Sequence, residues 1–165
     1  MNKKEFAILP GWLKRGFASL IDPLAEVFVR FNIHPNFFTA LGFVLSLVGA
    51  YFYASFNLRL GGVFILLGGL CDMLDGKVAR QSGLSSKFGA LFDSSLDRYA
   101  EVFMFLGLAF YFVPKGFKLT SIMIYLGLAG SMMVSYVRAR AEGLGYSCSV
   151  GIMQRPERIV YIGVA

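Results

Sequence analysis

Cysteine, histidine and charge are all scarce in this chain of 165 residues. It has two cysteines, Cys71 and Cys148, one histidine, His34, and only 16% Asp, Glu, Lys and Arg together. Two cysteines cannot form a disulfide framework, so both are expected as reduced thiols, Cys71 in a packing role. His34 precedes Pro35 in a loop and reads better as a capping or interfacial residue than as a general base. The low charge, set against 56% hydrophobic residues, excludes an ordinary soluble domain. Residues 1–36 also lack a plain apolar core followed by a small-residue cleavage site, which excludes a signal peptide there.

Long apolar runs are present instead, and a bilayer crossing takes about 20 helical residues. The first predicted span runs from Phe37 to Phe56 and the second from Leu58 into Asp75. The third runs from Lys87 to Val113 and the fourth from Leu119 to Arg140, with a fifth starting near Pro156. Ahead of them, residues 10–31 carry Trp12, Phe17, Leu20, Ile21, Leu24 and Phe28 interleaved with Lys14, Arg15 and Arg30. That pattern predicts an amphipathic helix, broken near Pro23, lying in the membrane interface. The chain thus divides into a cytoplasmic segment, 1–36, and a transmembrane domain, 37–165. With the N-terminus inside, every one of the 16 basic residues except Arg59, Lys115 and Lys118 falls on the cytoplasmic side, as the positive-inside rule prefers.

Against this apolar background stand Asp72, Asp75, Asp93 and Asp97, placed at or near the ends of two spans. A carboxylate at membrane depth is costly unless a metal, a cation or water compensates it. On helices, Asp72, Asp75, Gly76, Ala79 and Gly83 share one side, and Gly89, Asp93 and Asp97 share another. Gly76, Ala79 and Gly89 are small enough for the two helices to approach closely. An all-oxygen donor set with no His or Cys beside it suits Mg²⁺ or Mn²⁺ rather than zinc.

The full pattern is D-x-x-D-G-x-x-A-R, eight residues, then G-x-x-x-D-x-x-x-D, fulfilled by Asp72, Asp75, Gly76, Ala79, Arg80, Gly89, Asp93 and Asp97. It resembles the signature of the CDP-alcohol phosphotransferase family of integral membrane enzymes. That resemblance implies an all-α fold of six transmembrane helices, of which this chain would hold about four full spans and incomplete C-terminal ones. It implies one or two Mg²⁺ or Mn²⁺ ions held by Asp72, Asp75, Asp93 and Asp97, with Asp97 also the catalytic base. Gly76, Ala79 and Arg80 would receive the nucleotide of a CDP-linked lipid such as CDP-diacylglycerol.

Pro35-Asn36-Phe37-Phe38-Thr39 resembles a nucleotide-lining segment of the family, which adds Asn36 and Thr39 to that set; Asn36 is also the expected helix cap. Ser86, in the connector between the motif halves, is expected either as a nucleotide contact or as the N-cap of the third span. Ser135–Glu142 together with Arg155-Pro156-Glu157-Arg158 resembles the branch that uses an inositol phosphate acceptor. Arg138 and Arg155 would then bind the acceptor phosphate, although Arg138 also sits four residues from Glu142, with which it can pair. Arg138 stands where the actinobacterial members usually have Lys. The expected enzyme moves a phosphatidyl group to a phosphorylated polyol and releases CMP, on the cytoplasmic side of the cell (inner) membrane. Glycerol 3-phosphate is the alternative acceptor, and a divalent-metal transporter the more distant reading. A homodimer is expected, with Gly107, Ala109, Gly127, Ala129 and Gly130 available for its interface, and no nucleic-acid partner.

Overall fold

The structure, a computed structural model, describes residues 11–146, with side chains described from Ile21 onward. It consists of five helices: α1 (Gly11–Arg30), α2 (Pro35–Ala54), α3 (Leu58–Gln81), α4 (Lys87–Phe112) and α5 (Lys118–Gly143). No strand occurs among the described residues. The predicted fifth span, and Arg155 with it, lie outside them.

Short polar caps start the helices. His34 is the N-cap of α2: its Nδ1 accepts the Asn36 N–H at 3.2 Å, with Pro35 in the first turn. Asn36 therefore lies inside the helix and is not its cap. Proline is well suited to the first helical position because its missing N–H would have no intrahelical acceptor. Asn57 Oδ1 accepts the Leu60 N–H at 3.2 Å to open α3, and Ser86 Oγ accepts the Gly89 N–H at 2.9 Å to open α4. The connections are tight, with left-handed turns at Phe56 (φ 64°) and Gly83 (φ 70°). Consecutive helices α2 to α5 therefore run antiparallel.

Two expected boundaries change. The first helix is not broken at Pro23 but passes through it. Pro23 faces outward, while Ile21 and Ala25 on either side of it are buried against Phe38, Leu74 and Val78. That packing outweighs the one backbone hydrogen bond proline removes. The helix of the second span runs past Asp75 to Gln81, as the spacing of Asp72, Asp75, Gly76 and Ala79 requires, with Leu74 and Val78 packed into the same cluster; Gly83, expected on that same face, lies instead in the turn beyond the helix. The whole D-x-x-D-G-x-x-A-R segment is consequently helical.

Helices α2 and α3 cross backbone to backbone. A Cβ on Gly42 would meet the Gly68 carbonyl at 3.1 Å, and one on Gly49 the Gly61 carbonyl at 3.0 Å. Small residues seven apart on both helices make this close crossing possible. At the far end of α4, Gly107 rests on the Ala50 backbone, where a Cβ would come within 2.4 Å of the carbonyl oxygen. Gly107 and Ala109 are thus buried inside the chain, which removes both from the expected dimer interface. Ala129 and Gly130 stay exposed.

Helices α2 and α5 are long and apolar enough to cross a membrane. The outer faces of α2 to α5 expose Val44, Val63, Leu67, Leu106, Phe110, Ile122 and Leu126. A surface of this kind suits lipid rather than water. Lys115 lies over the Tyr111 ring, 3.5 Å from its centroid, at the end of the bundle opposite the acids.

Candidate active site

The four motif aspartates come from the α3–α4 hairpin. Counting 1.5 Å per residue from the turn, Asp75 and Asp93 lie about 9 Å along their helices and Asp72 and Asp97 about 13–15 Å. Acids at matching depth face each other across a gap: α3 and α4 barely touch and both pack on α2, so Gly76, Ala79 and Gly89 do not serve the close approach of these two helices expected of them. The apolar span was expected to end at Asp75; the longer α3 sets Asp72 and Asp75 about two turns or more inside it.

Asp72, Asp75 and Asp93 each bring one carboxylate oxygen within 4.8 Å of the others. Oxygen ligands at about 2.0–2.6 Å from a common divalent cation have separations of this order, so the trio fits Mg²⁺, Mn²⁺ or a similar hard ion. Asp97 stands one turn beyond Asp93 on α4 and lines the same inner cavity as Asp72, Asp75 and Asp93. Gly68, Gly69, Phe43 and Met104 complete its apolar part.

Asp75 is the buried member of the trio, 6% exposed. Thr39 of α2 donates its hydroxyl to Asp75 Oδ2 at 2.7 Å. Thr39, expected among nucleotide contacts, turns its hydroxyl to this carboxylate while also lining a neighbouring cleft. Such outer partners fix ligand geometry, and their loss costs typically 10–100-fold in metal affinity. Thr39→Val is expected to weaken Mn²⁺ binding by about tenfold, with Thr39→Ser restoring it. Isothermal titration with Mn²⁺ reads both.

A second cleft opens beside the first and shares Thr39, Asp75 and Asp93 with it. Its lining includes Asn36, Thr39, Gly76, Ala79, Arg80 and Ser86, the whole set expected to receive the nucleotide. Side chains of the cleft close over its two glycines. Arg80 folds back over Gly76, where a Cβ would lie 3.4 Å from its guanidinium. A Cβ on Gly89 would lie 3.1 Å from Ser86 Oγ and 3.4 Å from Asn36 Oδ1. Ser86 is the N-cap of α4, as one of its two expected roles has it, and it also lines this cleft. Leu84, Ser85 and Ala90 join the lining without having been singled out in the sequence.

The sequence of this site is matched by the CDP-alcohol phosphatidyltransferase family model over residues 32–162. The chain belongs to this family. An archaetidylinositol phosphate synthase of Methanothermobacter thermautotrophicus is 39% identical over 144 residues, covering 86% of this chain and 69% of that protein. The crystal structure of Mycobacterium tuberculosis phosphatidylinositol phosphate synthase with CDP-DAG bound is similar with a TM-score of 0.77. It is 30% identical, over 88% of this chain and 74% of the other. The same enzyme in complex with manganese and citrate gives a TM-score of 0.76 at 31% identity, over 87% and 70% of the two chains. This CDP-alcohol phosphatidyltransferase is thus a transferase with an acidic site suited to divalent metal, as its residues indicated.

The basic residues divide. Lys77 is bound to Asp22 of α1, and Arg98 to Glu101 one turn along α4 at 2.5 Å. Neither Asp22 nor Glu101 was anticipated, although Glu101 extends the stripe of Asp93 and Asp97 by a further four residues. Arg138 pairs with Glu142 at 3.5 Å, with both side chains mostly exposed, and lines neither cavity.

Proposed function

We propose that this CDP-alcohol phosphatidyltransferase moves the phosphatidyl group of a CDP-linked lipid, CDP-diacylglycerol, to a hydroxyl of an inositol phosphate and releases CMP. The observation that carries this reading is the adjacency of the two cavities. A cleft lined by Asn36, Arg80, Ser85 and Ser86 opens directly onto a three-carboxylate cluster, and they share Asp75 and Asp93. The names of the archaeal and bacterial relatives agree on an inositol phosphate product and differ in the lipid. This favours an inositol phosphate over glycerol 3-phosphate as the acceptor.

Asp72, Asp75 and Asp93 would hold the divalent ions, with Asp97 beside them. When bound, such ions supply charge neutralisation for the diphosphate and the departing CMP. The chain's own side chains do the rest. Asn36, Gly76, Ala79 and Ser86 shape the cleft around the cytidine, and Arg80 sets its guanidinium against a nucleotide phosphate. Asp97 accepts the proton of the acceptor hydroxyl as its oxygen bonds to the lipid-side phosphorus and the bond to CMP breaks. Arg138 and Arg155 receive the acceptor's phosphate, a task to which the guanidinium fork is suited.

In this reading α2 to α5 all span the bilayer. Helices α3 and α4, with 24 and 26 residues, have the necessary length and carry their charges into the site. Helix α1 lies in the cytoplasmic interface, apolar toward α3 and also exposing Leu24 and Val27. The site faces the cytoplasm across the inner membrane, and a homodimer forms through the small residues left exposed on α5.

The test is release of CMP from CDP-diacylglycerol with Mn²⁺ or Mg²⁺, offering inositol 1-phosphate, glycerol 3-phosphate and serine separately. Turnover with inositol 1-phosphate alone is expected; equal rates with glycerol 3-phosphate would remove the acceptor assignment. Arg155→Ala is expected to raise the acceptor's half-saturation at least tenfold while that of the lipid changes less than twofold. Parallel shifts in both would take Arg155 out of the acceptor pocket.

A further inference from the structure

The half of α4 that carries the catalytic carboxylates is weakly held by apolar packing. Its first buried residue is Met104, and everything from Lys87 to Phe103 is exposed or half-buried. A rotation by one residue's pitch, about 100°, would turn Asp93 and Asp97 away from Asp72 and Asp75. Mutual repulsion among the carboxylates pushes in that direction whenever metal is absent. The apolar contacts that hold α4, Phe103 against Phe43, Met104 with Tyr53 and Ile65, and Gly107 on Ala50, lie beyond the aspartates toward its far end.

A polar cluster occupies the position where a restraint is required. Arg98 Nη1 donates to Glu101 Oε2 at 2.5 Å and to Ser135 Oγ of α5 at 2.6 Å. Ser131, one turn earlier on α5 and buried, donates its hydroxyl to Glu101 Oε1. The two charges are 24% and 13% exposed, and both line the inner cavity beside Asp97. Ile124 and Ser131 are the buried residues of α5 among those described, so apolar contact does little to hold α5 in register. Paired charges bridged by hydroxyls at this depth are directional, and are worth more where water is excluded.

We infer that the Arg98–Glu101 pair, locked between Ser131 and Ser135, is a positioning element: it fixes the rotation of α4 and thereby aims Asp97 at the reacting hydroxyl. The assignment rests on the transferase reading above. Neither Glu101 nor Ser131 touches substrate; they act through the orientation of Asp97. Small misplacements of a reacting group cost about 100-fold in rate.

The full chain in lipid nanodiscs supplies the test, using Glu101→Gln, Ser131→Ala and the double variant. Glu101→Gln is expected to lower kcat at least tenfold and Ser131→Ala about threefold to tenfold, with KM for CDP-diacylglycerol within twofold and Mn²⁺ affinity within threefold. The double variant is expected to be no slower than Glu101→Gln alone, since both remove the same restraint. Ser131→Thr, which keeps the hydroxyl, is expected to recover the rate. A spin label at position 94, in a background lacking Cys71 and Cys148, reports its distance to bound Mn²⁺ independently of turnover; the distribution should be narrow in the parent and broad in Glu101→Gln. Unchanged kcat, additive losses, KM rising as kcat falls, or loss of Mn²⁺ binding would each overturn the assignment. If the parent releases no CMP, the chemical reading falls, and the distance distributions alone decide whether α4 is restrained as inferred.

Discussion

Asp97→Asn is expected to reduce CMP release at least a thousandfold while Mn²⁺ binding and CDP-lipid binding stay within about threefold of the parent. The substitution keeps the side chain's size and one carbonyl oxygen but removes the basic site. A positioned general base typically contributes about 10²–10⁴-fold, and here no other carboxylate is at the same depth on α4 to replace it. The geometry separates Asp97 from its neighbours. Asp72, Asp75 and Asp93 converge within 4.8 Å, whereas Asp97 stands a turn beyond Asp93 on α4, outside that trio but in the lining of the same inner cavity. Lipid binding is measured by equilibrium binding of labelled CDP-diacylglycerol, and turnover by CMP release in single-turnover mode. If lipid binding fell with turnover, as much as it does when a convergent carboxylate is removed, Asp97 would be a ligand and not the base.

Much of this site was legible because its residues recur at helical spacing on two consecutive elements. Asp93 and Asp97 four apart, with Gly89 below them, define one face of α4, and Asp72, Asp75, Gly76 and Ala79 define one of α3. A short Gly-Ser connector and the packing of both helices on α2 then turn those faces toward a common space. The nucleotide set assembled in one cleft for the same reason, with α2 contributing Asn36 and Thr39 where its N-terminus reaches the hairpin. What escaped the sequence depends on pairing between helices far apart in the chain. Asp22 meets Lys77 across 55 positions, and Ser131 meets Glu101 across 30. No local periodicity selects such partners. Pro23 misled for a related reason: its local cost is visible in the sequence, while the burial of Ile21 and Ala25 on α3 that offsets it is not. The small residues on α4 also admitted two readings, and the contact of Gly107 with the Ala50 backbone decides for packing within the chain.

Asp75→Asn should eliminate activity and at the same time stabilise the metal-free protein. Asp75 is the most enclosed carboxylate of the cluster, and it has Asp72 and Asp93 within 4.8 Å. Enclosing a charge beside two like charges destabilises the fold unless a cation compensates it. The amide has nearly the same shape and its carbonyl oxygen can still accept the Thr39 hydroxyl, so removing the charge relieves repulsion without opening a cavity. In chelator, the variant is expected to unfold a few degrees above the parent. Adding Mn²⁺ should reverse the order, because ligand that binds only the folded state raises stability by RT ln(1 + [L]/Kd), about 2.7 kcal/mol at a hundredfold excess over Kd. The parent gains that increment and the variant, with affinity lowered at least a hundredfold, does not. Two thermal unfolding curves for each protein, with chelator and with Mn²⁺, decide the matter. A variant less stable than the parent in chelator would show that Asp75 contributes to the fold through its hydrogen bonds more than it strains it through its charge. A variant that still gained stability from Mn²⁺ would place the cation elsewhere than between α3 and α4.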